Sequence, residues 1–192
     1  SALTHKDSST GKWYGCSGHF LWVGNRTRDI NSAHIEFLRG VNNPIGMKIS
    51  SSISPDELIQ LCEKLNPNNE KGRITLISRM GFENIYENLP KLIEKIKTNG
   101  SNVLWMCDPM HGNTYKLNSG YKTRDFDTIV KEIEAFFDIH NELNTIPGGI
   151  HLEFTGEHVT ECLGGADNII DNDLENHYDT ACDPRLNVNQ SL

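Results

Sequence analysis

Five short apolar segments, each stopping at polar or charged residues and each followed by a stretch long enough for a helix, restrict this 192-residue chain to few folds. Phe20 to Gly24 runs into Asn25, Arg26, Thr27 and Arg28; Gly46 to Ile49 carries Lys48. Ile74 to Ile77 ends in Ser78, Arg79 and Met80, and Asn102 to Cys107 hands over to a turn from Asp108 to Asn113 that contains His111. Ile150 to Phe154 contains Glu153. Between them, Ser54 followed by Pro55, Asp56 and Glu57 is a helix start: a hydroxyl cap, proline at the first position and acids at the positive dipole end. Leu58, Leu61, Cys62 and Leu65 then share one face, and Leu89, Leu92, Ile93 and Ile96 repeat that spacing up to a stop at Asn99 and Gly100. Phe126, Ile129, Val130, Ile133, Phe136 and Phe137 form the strongest stripe, and such stripes are core faces.

Strands alternating with helices predict a parallel sheet, because a crossover between parallel strands needs about a helix's length of chain. No glycine-rich dinucleotide fingerprint follows any strand, and charged residues at several strand ends suit a (β/α)8 barrel, whose chemistry gathers at the carboxyl ends of its strands. A complete barrel takes about 250 residues, and five strands cannot close the ring. Residues 1–18 form a polar lead-in with no obvious strand. The expectation is therefore an α/β fold: the C-terminal portion of a single TIM-barrel domain, about five βα units spanning 1–192.

Hydrophobic residues at 36% and charged residues at 23% describe a globular protein. A formal net charge of -8 opposes nucleic-acid binding, so an anionic ligand has to be held by local cations. The sequence has neither an apolar run of membrane-spanning length nor a signal-peptide pattern at Ser1, which argues against membrane insertion and secretion. Cys16, Cys62, Cys107, Cys162 and Cys182 are scattered, odd in number and without a CxxC pair, as expected of free thiols in a reducing compartment.

Two constellations carry chemistry. His111, Glu153 and Asp183 lie at or after strand ends and offer an imidazole nitrogen and two carboxylates, a donor set for a divalent transition metal. Asp183 reads equally well as a turn residue before Pro184, whereas Glu153, flanked by Leu152 and Phe154, is costly to bury unless paired or metal-bound. Arg26, Lys48 and Arg79 would converge on a phosphate or carboxylate if their strands are neighbours; the ordinary reading is surface ion pairing. Lys48 between Met47 and Ile49 demands a partner.

Seven ordered segments also carry a resemblance: Trp22-Val-Gly-Asn-Arg-Thr-Arg28, Ala33-His-Ile-Glu-Phe-Leu-Arg-Gly40, Asn43-Pro-Ile-Gly-Met-Lys48, Gly72-Arg-Ile-Thr-Leu-Ile-Ser-Arg-Met80, Cys107-Asp-Pro-Met-His-Gly-Asn-Thr114, Pro147-Gly-Gly-Ile-His-Leu-Glu153 and Cys182-Asp-Pro-Arg-Leu-Asn187. The chain resembles class II, plant-type 3-deoxy-D-arabino-heptulosonate 7-phosphate synthases over nearly its whole length. The resemblance implies a TIM-barrel transferase that condenses phosphoenolpyruvate with erythrose 4-phosphate at the start of the shikimate pathway to aromatic amino acids. It implies a divalent metal, manganese or else cobalt, held by His111, Glu153 and Asp183 with a cysteine from an earlier strand. It assigns phosphoenolpyruvate to Asn25, Arg26, Lys48 and Arg79, plus an arginine from an earlier strand, with Lys48 also the candidate proton donor. Lys122 and Arg124 are candidates for the sugar phosphate.

Further expectations are that the missing half of the barrel is a partner, that the full-length protein is a homo-oligomer, and that it works in bacterial cytoplasm or plastid stroma. The chain departs from the family pattern at Asn25, where glutamate is usual, and at Gly15 and His158, where aspartate and asparagine are usual. Two other readings remain open. One is a noncatalytic remnant or interaction module that is inactive by itself; the other is a different metal-dependent aldolase or hydrolase on a similar barrel.

Overall fold

The computed structural model describes residues 3–192; Ser1 and Ala2, at the start of the polar lead-in, lie outside the described residues. A hairpin of β1 (Thr4–Lys6) and β2 (Trp13–Gly15) precedes the main body. Then come β3 (Leu21–Val23), α1 (Ala33–Arg39), β4 (Ile45–Ile49), α2 (Pro55–Leu65), β5 (Ile74–Ser78), α3 (Phe82–Asn99) and β6 (Val103–Cys107). A single 3-10 turn (His111–Asn113) and a small hairpin, β7 (Tyr115–Lys116) and β8 (Lys122–Thr123), lead to α4 (Phe126–Glu142) and β9 (Pro147–Ile150).

The five strands β3-β4-β5-β6-β9 form one sheet in sequence order, and every neighbouring pair is parallel. That order contains no switch point of the kind an open doubly wound sheet requires. Each helix also packs against the next, α1 on α2, α2 on α3 and α3 on α4, which places all four on one side. The sheet is bent as well. With strands about 4.8 Å apart, the outermost two of five would lie about 19 Å apart if flat. Yet Trp22 on β3 and His151 just past β9 meet edge to face with ring centroids 5.7 Å apart. Singly wound, strongly curved and lined by helices on its convex side, the sheet is shaped as part of a barrel wall would be, with β3 and β9 as its edges among the described residues.

Local chemistry explains the elements. Ser32, Ser54 and Asp125 cap α1, α2 and α4, their side chains accepting from Ile35 N at 3.3 Å, Glu57 N at 3.1 Å and Thr128 N at 2.8 Å. Gly100 ends α3 at φ 72°, where a left-handed residue is needed. Ile45, Met47 and Ile49, with Ile74 and Leu76, are fully buried against the helices, where Leu58, Leu61, Leu89 and Ile93 meet them. The concave face is filled by other side chains: the Phe20 ring lies so close to Gly46 that an added Cβ would sit 2.7 Å from it.

Several sequence expectations require correction. The lead-in contains β1 and β2; Thr4–Lys6 is polar, Trp13–Gly15 is aromatic, and at three residues each is too short to show an apolar alternation. Helix α1 buries only Ile35 and Leu38, too short a stripe to register as a period. The fifth strand starts three residues earlier than expected, at Pro147, because Gly148 allows a close approach: a Cβ there would stand 2.5 Å from Trp105 O. Glu153 therefore lies beyond β9, on a stretch whose Phe154 bridges Leu186. Among the described residues four parallel strands are each followed by an α-helix; β9 leads instead to loops and a 3-10 segment, Asp171–Asn176.

One core residue predicts an acid limit. His140 on α4 is fully buried between Trp105 and Phe136, its Nδ1 is 2.7 Å from Thr145 Oγ1, and its Nε2 has no partner. Burial pushes its pKa down from 6.5 to about 4. Between those values the unfolded chain binds a proton that the folded chain refuses, so stability falls as pH drops through the window, by up to about 3 kcal/mol. Thermal melts from pH 7 to pH 4 should show a smaller loss of Tm for His140→Phe than for the wild type; equal losses would exclude His140 as the cause.

Candidate active site

The carboxyl ends of all five parallel strands carry residues singled out by sequence, with one addition, Asp108. Asn25 and Arg26 follow β3, Lys48 is the fourth residue of β4, Arg79 follows β5, Asp108 and His111 follow β6, and Glu153 lies beyond β9. Trp22, Asn25, Arg26, Lys48, Arg79 and His111 line one cavity of about 230 Å³. The three cations expected to converge do so. Arg79 donates from Nη2 to His111 O at 2.9 Å, and its buried Nε has no protein partner.

His111 also belongs to a second cluster beside that cavity. One ligand atom each from His111, Glu153 and Asp183 lies within 4.8 Å of the others, and His111 Nε2 is 3.6 Å from Glu153 Oε2. Donors that share a first-row ion at about 2.0–2.2 Å are about 3–3.5 Å apart, so the spacing fits a small divalent cation with little movement. The far side of the imidazole supports the same assignment. Nδ1 lies 2.7 Å and 3.0 Å from the two Asp108 oxygens, a carboxylate–imidazole pair that leaves Nε2 toward Glu153.

Asp108 is the residue that sequence reasoning passed over, treating it as part of a turn. It is fully buried, and besides His111 it holds the Lys48 ammonium and accepts from Met110 N at 3.0 Å and His111 N at 3.2 Å. Burial alone would raise its carboxyl pKa. The His111 hydrogen bond and the Lys48 charge outweigh burial and hold it well below the ordinary carboxylate range. The signal was present: Lys48 in an apolar strand needed an acid, and Asp108 ends the strand two places away.

The remaining candidates divide. Lys122 is exposed and pairs with Asp183 Oδ1 at 3.2 Å. Burial would raise the Asp183 carboxyl, but Lys122, with Arg124 and His111 behind it, pulls it below its usual value. Arg124, expected to face a sugar phosphate, is fully buried. It donates from Nη1 to Glu153 Oε2 at 2.7 Å and to Pro184 O, and from Nε to Thr114 Oγ1 at 2.8 Å. It ties together the two segments that carry the candidate donors Glu153 and Asp183. Buried Arg28, also unremarked in the cation set, pairs with Glu57 and donates to Asn25 Oδ1 at 3.3 Å.

Comparison with known proteins identifies the family. The model of the class-II DAHP synthetase family matches residues 1–192. The chain belongs to that family. Among its relatives, the phospho-2-dehydro-3-deoxyheptonate aldolase of Streptomyces coelicolor is 53% identical over 192 residues, 100% of this chain and 43% of that protein. The phospho-2-dehydro-3-deoxyheptonate aldolase AroG of Mycolicibacterium smegmatis is 53% identical over 181 residues, 94% of this chain and 39% of that protein. The chain thus spans about two fifths of the curated relatives it matches.

The Lys48–Asp108 pair allows a direct test of the site's architecture. Removing one partner of a buried ion pair costs about 3–5 kcal/mol, whereas replacing both by apolar groups costs far less. Asp108→Ala should therefore lower unfolding stability in denaturant titrations by that amount, and adding Lys48→Met should recover much of it. A double variant no more stable than Asp108→Ala would show that the cost lies elsewhere.

Proposed function

We propose that the protein carrying this chain condenses phosphoenolpyruvate with D-erythrose 4-phosphate and water, giving 3-deoxy-D-arabino-heptulosonate 7-phosphate and inorganic phosphate. The observation that carries the reading is that His111 serves both a cation-lined cavity and a three-donor metal cluster. An anionic substrate and a metal-activated one would meet there. Lys48, Lys122 and Arg124 pair with Asp108, Asp183 and Glu153, which leaves Arg26 and Arg79 as two further positive charges at the cavity in a chain of net charge -8.

Arg26, Lys48 and Arg79, with Asn25, hold the phosphate and carboxylate of phosphoenolpyruvate; arginine supplies forked hydrogen bonds and lysine a compact charge. His111, Glu153 and Asp183 would hold a divalent ion, manganese before cobalt, and its Lewis acidity would polarise the aldehyde oxygen of the sugar. Exposed Lys122, the first residue of β8, is our candidate for the sugar phosphate, and Arg124 keeps Glu153 in position. Carbon 3 of phosphoenolpyruvate attacks the aldehyde carbon, water adds at carbon 2, and the hemiketal so formed expels phosphate. Lys48, fixed by Asp108, is within the cavity where a proton is needed as the aldehyde oxygen becomes hydroxyl.

No described helix is long and apolar enough to cross a membrane, and both named relatives are bacterial. We place the reaction in bacterial cytoplasm and expect the full-length protein to be a homo-oligomer.

With the full-length protein, phosphate release should require both substrates and a divalent metal and should stop on adding EDTA. Turnover that survives metal removal would overturn the mechanism, and no turnover in metal-loaded protein would favour a noncatalytic family member. His111→Ala should lose stoichiometric metal uptake while keeping the far-UV circular dichroism of the wild type; retained metal would reject the ligand assignment.

A further inference from the structure

Glu132 is a fully buried carboxylate with no part in the chemistry above. It sits on α4, where Ile129 and Phe136 on the same face belong to the core, and an apolar side chain there would avoid the cost of burying a charge. Burial pushes its carboxyl up to about 7, against the pull of the donors around it. None of those donors comes from its own helix. Oε1 accepts from Met80 N at 3.2 Å and Gly81 N at 3.0 Å, in the turn after β5. Oε2 accepts from Asn113 Nδ2 at 2.6 Å, in the turn after β6.

Asn113 extends the connection. Its Oδ1 accepts from Phe82 N at 3.0 Å, across in the first turn, and its Nδ2 also donates to Pro109 O at 2.7 Å within its own. The two turns touch backbone to backbone: a Cβ on Gly112 would stand 2.3 Å from Gly81 N, and Gly81 has φ +80°. Arg79 directly precedes the two amides held by Glu132, and His111 lies two residues before Asn113. The two are themselves joined at 2.9 Å, from Arg79 Nη2 to His111 O.

We propose that Glu132 is a positioning residue for this site: from behind the sheet it fastens the Arg79 turn to the His111 turn, and so sets the anion clamp against the metal donor. The proposal rests on the roles given to Arg79 and His111 above. Its structural alternative is simple capping, since Gly81 at the start of α3 offers no side chain and Glu132 with Asn113 satisfies the free amides there. Capping alone would affect stability and leave ligand affinity unchanged.

Glu132→Gln in the full-length protein separates the two. Whichever way the new amide turns, either the Met80 and Gly81 amides or Asn113 Nδ2 must face a donor. Hydrogen exchange should quicken across both 79–82 and 109–114 while the middles of α3 and α4 stay protected. The KM for phosphoenolpyruvate and the Kd for Mn2+ should each rise about tenfold, with kcat at saturation changed less than about threefold.

Unchanged exchange in either turn overturns the proposal. So does loosening of both turns with KM and metal Kd still at wild-type values, or a lowered Tm as the sole effect. A wild-type protein that takes up neither Mn2+ nor phosphoenolpyruvate overturns the reading of the site itself, and with it the role of Glu132 there. The exchange measurement, which needs no ligand, then reports separately on whether Glu132 joins the turns.

Discussion

The buried bridge from Lys48 through Asp108 to His111 is the interaction on which the rest of the site depends. It spans from β4 to β6 across β5, and it joins an ammonium to an imidazole through one carboxylate that water does not reach. Burying that ammonium without the acid, or the acid without its donors, would leave an unpaired charge away from water. Because each partner is satisfied by the next, the cation-lined cavity and the candidate metal donors form one electrostatic unit.

That unit requires a curved parallel sheet. Side chains from strand ends converge only where the strands bend toward one another, and the Trp22–His151 contact shows how far this sheet bends. The outer layer then fixes the turns that carry the candidate ligands. Arg124 braces the segments bearing Glu153 and Asp183, Glu161 accepts from Thr180 N and Arg185 N at 2.8 Å to shape the Asp183 loop, and Glu132 ties two further turns together. Three buried charged side chains thus serve the loops rather than the core, which contains the apolar faces of α2, α3 and α4.

Much of this was legible in the chain. Ser54, Pro55 and Gly100 announce helix ends because cap chemistry is local, and the stripes of α2, α3 and α4 announce their buried faces. His111, Glu153 and Asp183 could be named as a donor set, and Lys48 as a cation in need of an acid. Short or polar elements were not legible. The seven residues of α1, the exposed β1–β2 hairpin and the glycine-rich start of β9 are formed by pairing and close approach, which leave no apolar period to read.

By itself, the sequence determined the order and type of the long elements, the parallel sheet and the residue types able to bind an anion and a metal, since these follow from periodicity, capping and donor chemistry within a few residues. Only the tertiary structure decided which charges meet. That Asp108 is the partner of Lys48, that Arg124 turns under Glu153 rather than outward, and that Glu132 reaches two turns from a helix all depend on contacts between residues 19 to 60 positions apart. Such contacts are set by strand curvature and helix packing, and desolvation makes each of them obligatory once the chain has folded.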